Sequence, residues 1–256
     1  MKNAPWLLII LCLLFAIGGL VSGVFAESLQ RALLLPPDHP VATIPPVATP
    51  MTGLPTPTTM TLRILAQDTF QRPDQALWGR ASDGQSWAGD ANAQVQSFFI
   101  AGSQGVIMHA KGTLNAMLGP VSSNVEVLTS GSVSHFGKTI NLGVVVRWTD
   151  AMNWYKALIN GTRFVVLKRV KGITTELGAQ PFTAHGNTLY TLRFRAIGAV
   201  LLAKAWPSAD PEPPGWMVNV TDTSLTAGQG GVRVLVQNDA VVHLVAFSES
   251  SARSQV

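Results

Sequence analysis

Residues 141–170, NLGVVVRWTDAMNWYKALINGTRFVVLKRV, decide the fold class. They contain three runs of β-branched, aliphatic and aromatic residues, in which apolar side chains recur at every second position. Asn160-Gly161 lies between the second and third runs and is typical of a two-residue type I′ hairpin turn. The segment therefore predicts three consecutive antiparallel strands.

Runs of the same kind continue on both sides of this segment. They are short, they are separated by turn residues such as Lys171-Gly172, and they show no helical period of 3.6. The most distinct further runs are 105–109, 122–129, 188–196, 199–206, 216–221, 231–237 and 240–247. About a dozen strands without alternating helices predict an all-β fold, an antiparallel sandwich or barrel.

Composition excludes several classes of protein. The 256 residues are 47% hydrophobic and only 12% charged, about half the usual share, which excludes a disordered polar chain. The net charge of +4 comes from basic residues scattered along the chain, so no nucleic-acid partner is expected. One cysteine excludes a disulfide scaffold and a cysteine-based zinc site.

Residues 1–26 predict a membrane segment. Lys2 is their only charged side chain, and residues 6–26 form an apolar run of about the length that crosses a bilayer. We predict an uncleaved signal anchor; the alternative is a signal peptide cleaved after Ala26, since Val24 and Ala26 fit the cleavage pattern. The chain is then either a single-pass membrane protein with an extracytoplasmic C-terminal domain or a secreted protein.

Residues 27–62 differ from both neighbouring segments because they are rich in proline and threonine. Closely spaced prolines exclude helix and central strand, so this segment is predicted to be an extended, semi-rigid stalk. The globular domain is predicted to span 63–249, and residues 250–256 are predicted to form a disordered tail.

Two motifs carry a resemblance to a known family. Residues 68–72, DTFQR, precede 78–87, WGRASDGQSW, and residues 147–155, RWTDAMNWY, follow at a plausible distance. In this order they resemble the bacterial laminin-G-like modules of the concanavalin A-like lectin/glucanase superfamily. The resemblance covers residues 64–248 and implies a jelly-roll sandwich of two antiparallel sheets. It implies little about function, because the superfamily includes lectins, glycosidases and adhesion modules.

The resemblance also bears on metal binding. Many relatives hold a structural calcium ion with an aspartate near the last strand, beside the first. Here residues 243–248, HLVAFS, contain no acidic residue, and the next one is Glu249. We therefore expect no metal ion, and we expect Asp68 to act as a strand-start or turn residue.

The sequence offers no pattern of catalytic residues. A glucanase of this superfamily would resemble E-x-D-x-x-E on one strand, whereas Glu126 is the only acidic residue in the comparable strand and is expected to be solvated. The five histidines lack metal-ligand spacing, and no serine lies in a G-x-S-x-G motif. We expect neither an enzyme nor a cofactor.

Strand alternation predicts a binding face instead. If Trp148 and Tyr155 point into the core, their neighbours point outward, unless a bulge at the turn 149–152 shifts the register. The predicted ligand-binding residues are Arg147, Trp154, Lys156, Arg193 and Arg195. On one sheet they would form a cationic, partly aromatic face that suits a sugar bearing a carboxylate or sulfate. The alternative is an ordinary solvated face.

Four further tryptophans flank two loops. Trp78 and Trp87 flank the loop 80–86, and Trp206 and Trp216 flank the proline-rich loop 207–215. At the rim of a jelly roll such residues either plug the open ends of the core or form binding walls. We favour core plugs for all four.

Three functions remain open. The first is a membrane-tethered, non-catalytic module that binds a glycan or cell-surface polymer. The second is a structural or protein-interaction module of the cell envelope. The third, an unusual glycoside hydrolase, predicts two carboxylates close together in a cleft.

Overall fold

The computed structural model describes residues 63–237 and 239–253. This part of the chain is a β-sandwich of two antiparallel sheets, which confirms the predicted fold class. A single 3₁₀ turn spans Asp90–Asn92. The strands are β1 (Ile64–Asp68), β2 (Gln75–Ala76), β3 (Ala88–Gly89), β4 (Phe98–Ala101), β5 (Gln104–Ile107), β6 (Gly112–Met117), β7 (Val125–Val133), β8 (Leu142–Asp150), β9 (Asn153–Ile159), β10 (Arg163–Val170), β11 (Ile173–Pro181), β12 (Tyr190–Ile197), β13 (Val200–Pro207), β14 (Val218–Thr221), β15 (Gln229–Val236) and β16 (Val242–Ser251).

The two sheets draw strands from distant parts of the chain. The nine-stranded sheet has the order β14-β13-β12-β7-β16-β5-β4-β2, with β1 paired to β16. The seven-stranded sheet has the order β11-β10-β9-β8-β15-β6-β3. The final strand β16 ends at Ser251, two residues beyond the predicted domain boundary at 249.

The core lies between the sheets and follows the period-two pattern of the strands. The inward side of β9 contributes Tyr155, Ala157 and Ile159, as the alternation of its sequence predicts. Trp78 and Trp87 are fully buried and meet edge to face with ring centroids 4.9 Å apart. These two tryptophans are core residues, as predicted.

Asp68, the first residue of the motif 68–72, accepts several hydrogen bonds. The buried carboxylate of Asp68 accepts two bonds from the Arg72 guanidinium, at 2.8 and 3.0 Å. It also accepts from Trp87 Nε1 at 2.7 Å and from the backbone N–H groups of Phe70 and Ser82. Asp68 is the last residue of β1 and not, as predicted, the first residue of a strand, and it ties the first loop of the domain to the core.

The type I′ hairpin turn lies at Lys171-Gly172 and not at the predicted position, Asn160-Gly161. Lys171 and Gly172 both have positive φ, and they join the paired residues Val170 and Ile173, which is the type I′ arrangement. At the predicted position only Gly161 has positive φ. There the side chain of Asn160 accepts bonds from the following backbone N–H groups, and the resulting loop is wider than a two-residue turn.

The register between β8 and β9 shifts at the turn. Pairing is regular up to Val146 and Tyr155 and resumes only at Asp150 and Asn153, so β8 contains two extra residues. Arg147 lies in this bulge with φ of +52°. The prediction that Arg147 points outward is therefore wrong, because alternation of side chains holds only where the ladder is regular.

The predicted membrane segment 6–26 and the predicted stalk 27–62 lie outside the described residues. Within the part that the structure describes, no helix is long and apolar enough to cross a membrane.

Candidate functional site

The five predicted binding residues do not share one face. Trp154 and Lys156 lie on β9 in the seven-stranded sheet, whereas Arg193 and Arg195 lie on β12 in the nine-stranded sheet. Arg147 belongs to neither outer face. The prediction that these residues lie on one sheet is wrong, because β9 and β12 belong to different sheets.

Arg147 is a structural residue. Its side chain is 1% exposed, and its guanidinium donates to the carbonyl oxygens of Ser123, Gly198 and Leu225 at 2.7 to 2.9 Å. Ser123 precedes β7 and Gly198 lies in the β12–β13 turn, so the bonds join the bulge of one sheet to the other sheet. Arg147 therefore cannot serve as an exposed ligand contact.

Trp154 and Lys156 are not an exposed platform either. Trp154 is only 3% exposed, and the Arg233 guanidinium lies 4.6 Å from its ring centroid. Lys156 is 4% exposed and donates to Asn141 Oδ1 at 2.7 Å. Burial lowers the pKa of Lys156 well below its ordinary value, and the nearby charge of Arg233 lowers it further. Neither residue is available to a ligand in this conformation.

Arg193 and Arg195, by contrast, line a surface pocket of about 480 Å³. Their strand β12 pairs with β13, which brings Arg193 opposite Lys204 and Arg195 opposite Leu202. The pocket lies on the outer side of this sheet, because the alternate residues of β12 fill the core. It is lined by Arg193, Arg195, Ile197, Val200, Leu202, Lys204, Glu212, Pro214, Trp216 and Arg253.

Glu126 neutralises part of this cationic surface from below. It lies on β7 opposite Arg195 and is bonded to Arg193 Nη1 and, at 2.5 Å, to Arg195 Nε. Although it points to the outer face as expected, it is only 3% exposed, so the prediction of a solvated residue is wrong. The two arginine side chains cover it, and in doing so each is held in a fixed position.

The loop 208–216 forms one wall of the pocket. Its Glu212 lies 2.8 Å from Arg193 Nη2 and 2.7 Å from Lys204 Nζ, and Lys204 also donates to the carbonyl of Pro213. Burial raises the pKa of Glu212, but the bond from Lys204 and the charges of Arg193 and Lys204 outweigh it, so the pKa is lowered. Glu212 is therefore ionised and bound to both cations at neutral pH.

Trp216 supplies an aromatic surface. Its ring centroid lies 5.1 Å from the Arg195 guanidinium carbon and 4.9 Å from Lys204 Nζ. Both distances fit cation–π contacts, which fix the ring against the sheet. Trp206 is buried, but it lies on the outer side of β13 beside Lys204, and Trp216 is half-buried in the pocket wall. The prediction of core plugs is therefore wrong for both.

The pocket combines charge with an aromatic ring on a rigid support. Four cationic side chains and one carboxylate line it, and Glu126 lies beneath. Guanidinium and ammonium groups are directional donors to carboxylates, sulfates and hydroxyls, and an indole ring can pack against the C–H face of a sugar. This arrangement favours binding of a polar, ring-bearing ligand.

Two carboxylates lie close together at this site, as the hydrolase alternative predicts: Glu212 lines the pocket, Glu126 lies beneath it, and both contact Arg193. A general acid needs a raised pKa, whereas the pKa of Glu212 is lowered. Glu126 is covered by the two arginines. Among the described residues, no group of three histidine, cysteine or acidic side chains could hold a metal ion.

Three residues that line the pocket, Lys204, Glu212 and Arg253, were not among the predicted binding residues. Lys204 lies in the predicted strand 199–206 with inward neighbours on both sides, so alternation could have placed it outward. Glu212 and Arg253 carry no signal in the sequence, because each reaches the pocket from a loop or terminal segment.

Comparisons with known proteins show the fold. No protein-family model and no curated protein matches this sequence. Among solved structures, a xylan β-1,4-xylosidase from Bacillus halodurans C-125 superposes with a TM-score of 0.54 at 13% identity, covering 84% of this chain and 41% of the xylosidase. A protein of unknown function from Shewanella oneidensis MR-1 gives 0.50 at 15% identity, covering 84% and 100%. The carbohydrate-binding module CBM66 from Bacillus subtilis gives 0.48 at 16% identity, covering 58% and 86%.

At these identities the likeness concerns the β-sandwich alone. The chain also spans less than half of the xylosidase's length. The comparisons therefore show a β-sandwich and no function for this chain.

Proposed function

We propose that this protein is a non-catalytic, extracytoplasmic module that binds a glycan or cell-surface polymer in the pocket of the nine-stranded sheet. In this proposal residues 6–26 tether the chain to the membrane and residues 27–62 hold the domain away from it. The observation that carries the proposal is the pocket formed by Arg193, Arg195 and Trp216.

Three properties of the pocket support a glycan. The Trp216 ring provides a flat apolar surface, and the guanidinium of Arg195 beside it provides donors for hydroxyl or acidic oxygens. Both arginines extend from a central β12 and are fixed by Glu126, so the donors are ordered before a ligand arrives. Preorganised donors reduce the entropy lost on binding.

The two carboxylates support a non-catalytic role. Glu212 has a lowered pKa, which does not suit a general acid, and Glu126 is covered by two arginines and is not accessible to a glycosidic oxygen.

The test is retention of the full-length chain, held in a non-ionic detergent, on immobilised polysaccharides. We expect Trp216→Ala to reduce retention by about tenfold, the effect of removing an aromatic anchor. Trp148→Ala is the matched control, because Trp148 is also half-buried but lies on β8 in the other sheet. It should leave retention by the folded protein unchanged.

Two results would overturn the proposal. If the wild-type chain is retained on no neutral or acidic polysaccharide, glycan binding is wrong and the protein-interaction alternative gains support. If Trp216→Ala and Trp148→Ala reduce retention equally, the glycan site lies elsewhere.

A further inference from the structure

Arg193 binds two carboxylates, Glu126 and Glu212, that differ in how much they are exposed. Glu126 belongs to a strand, is covered by the arginines and contacts both of them. Glu212 belongs to the loop 208–216, and its side chain is 38% exposed. One carboxylate is therefore a permanent part of the sheet, and the other is accessible from the pocket.

The position of Glu212 is the position that a ligand anion would take. Its carboxylate bridges Arg193 Nη2 at 2.8 Å and Lys204 Nζ at 2.7 Å, which are two of the pocket's four cations. A carboxylate or sulfate group has oxygens of matching charge and spacing for the same two donors. Glu212 therefore acts as a built-in counter-ion at the site.

The cations that remain when Glu212 leaves them favour an anionic ligand over a neutral one. Arg193 and Arg195 would then keep their bonds to Glu126, Lys204 would have no carboxylate partner among the described residues, and Arg253 lines the pocket beside them. Like charges on directly opposed strand residues, as in Arg193 and Lys204, repel each other. A neutral sugar cannot relieve this repulsion, whereas an anionic group can.

Release of Glu212 requires little rearrangement. Lys204 keeps its bond to the Pro213 carbonyl at 2.6 Å, and the contacts of Trp216 with Arg195 and Lys204 do not involve Glu212. Rotation of one exposed side chain is sufficient to open the two donors, so the pocket wall stays in place.

We propose that the ligand carries a carboxylate or sulfate group and that this group displaces Glu212 from Arg193 and Lys204. This inference rests on the proposed glycan-binding function. It makes Glu212 a competitor for the anion, whose presence weakens binding and keeps the unoccupied pocket stable.

The experiment compares Glu212→Gln with the wild-type full-length chain in a non-ionic detergent. The probes are polygalacturonate for carboxylate, dextran sulfate for sulfate, and dextran as the neutral partner of dextran sulfate. We expect Glu212→Gln to bind the anionic polymers about two- to fivefold more tightly, the range that an exposed ion pair contributes. Its binding should also fall more steeply with added salt, because more uncompensated charge takes part.

Glu176→Gln is the matched control. Glu176 is paired with Arg163 at 2.7 Å and is 44% exposed, but this pair lies on β10 and β11 in the other sheet. The control should leave binding and its salt dependence unchanged. Thermal unfolding of both variants, measured beside wild type, reports whether the pocket remains folded.

The outcomes separate this inference from the proposed function. Binding of dextran as tight as that of dextran sulfate and polygalacturonate, or weaker anion binding by Glu212→Gln, overturns the inference and leaves glycan binding standing. Binding of one anionic polymer but not the other identifies carboxylate or sulfate as the recognised group. Absence of binding to all three polymers by wild type and variant removes the inference, and the wider polysaccharide panel then decides the proposed function.

Discussion

Replacing Glu249 by glutamine should make the protein more stable at neutral and alkaline pH. Glu249 lies on β16, is fully buried, and points across the sandwich toward β15. Its Oε2 accepts one bond, from the Gly230 N–H at 3.2 Å. No donor among the described residues reaches Oε1. Space for the carboxyl exists because Gly119 and Gly230 lack side chains, whose Cβ atoms would lie 2.6 Å from Oε2.

The magnitude follows from the pKa. Burial raises the pKa of Glu249 from 4.5 to about 8, and the bond from Gly230 lowers it only in part. Between these two values the folded protein keeps a proton that the unfolded chain releases, so stability falls as the pH rises. The stabilisation that this bound proton gives is complete below pH 4.5. It decreases between pH 4.5 and pH 8 and is lost once the pH has passed through 8. At about 1.4 kcal/mol per pH unit, roughly 3 kcal/mol is lost between pH 4.5 and pH 7.

The assay is urea unfolding of wild type and Glu249→Gln from pH 5 to pH 9. Glutamine keeps the shape and the bond from Gly230 but does not titrate, so its stability relative to wild type should rise by about 4 kcal/mol from pH 5 to pH 9, most of it below pH 8. Groups such as Glu212 and Asp222, whose pKa values are lowered, affect both proteins equally and cancel in the difference. The exposed Glu176→Gln variant should show no such trend. A difference between Glu249→Gln and wild type that stays constant from pH 5 to pH 9 would refute the reasoning.

Two further variants test the fold. Trp154→Ala should lower the free energy of unfolding by about 3–5 kcal/mol, because it empties a buried aromatic site and removes the contact with Arg233; a loss below about 1 kcal/mol in urea unfolding would show that Trp154 is not a core residue. Asp68→Asn should cost about 3 kcal/mol, because the Arg72 charge loses its partner and an amide nitrogen faces N–H donors; an unchanged urea midpoint would contradict this role for Asp68.

The strands themselves were predictable because most of them alternate. Runs such as 141–148 and 188–196 coincide with β8 and β12, and their apolar positions fill the core. β11 was missed, since ITTELGAQP contains glycine, ends in proline and lies at a sheet edge. An edge strand is exposed along most of its length, so burial imposes no pattern on its sequence.

The assignment of strands to sheets was not predictable from local patterns. β12 pairs with β7, which brings Arg195 opposite Glu126, 69 residues earlier in the chain. β9 pairs with its sequence neighbours β8 and β10 in the other sheet. Outward cations on β9 and on β12 have the same alternating pattern in the sequence. Only the long-range pairing shows that Lys156 and Arg193 belong to different faces.

Arg147 shows where alternation fails for a physical reason. In the run GVVVRW the arginine follows three valines. Strict alternation places its side chain on the face of the strand away from Val146 and Trp148. Two extra residues in β8 break this rule, and the approach of Gly228 to the Arg147 backbone leaves no room for a Cβ there. The bulge turns the guanidinium toward three carbonyl groups at the edge of the sandwich. The charge that looked like a ligand contact thus satisfies backbone acceptors, whereas the arginines of the regular strand β12 keep their outward direction and form the pocket.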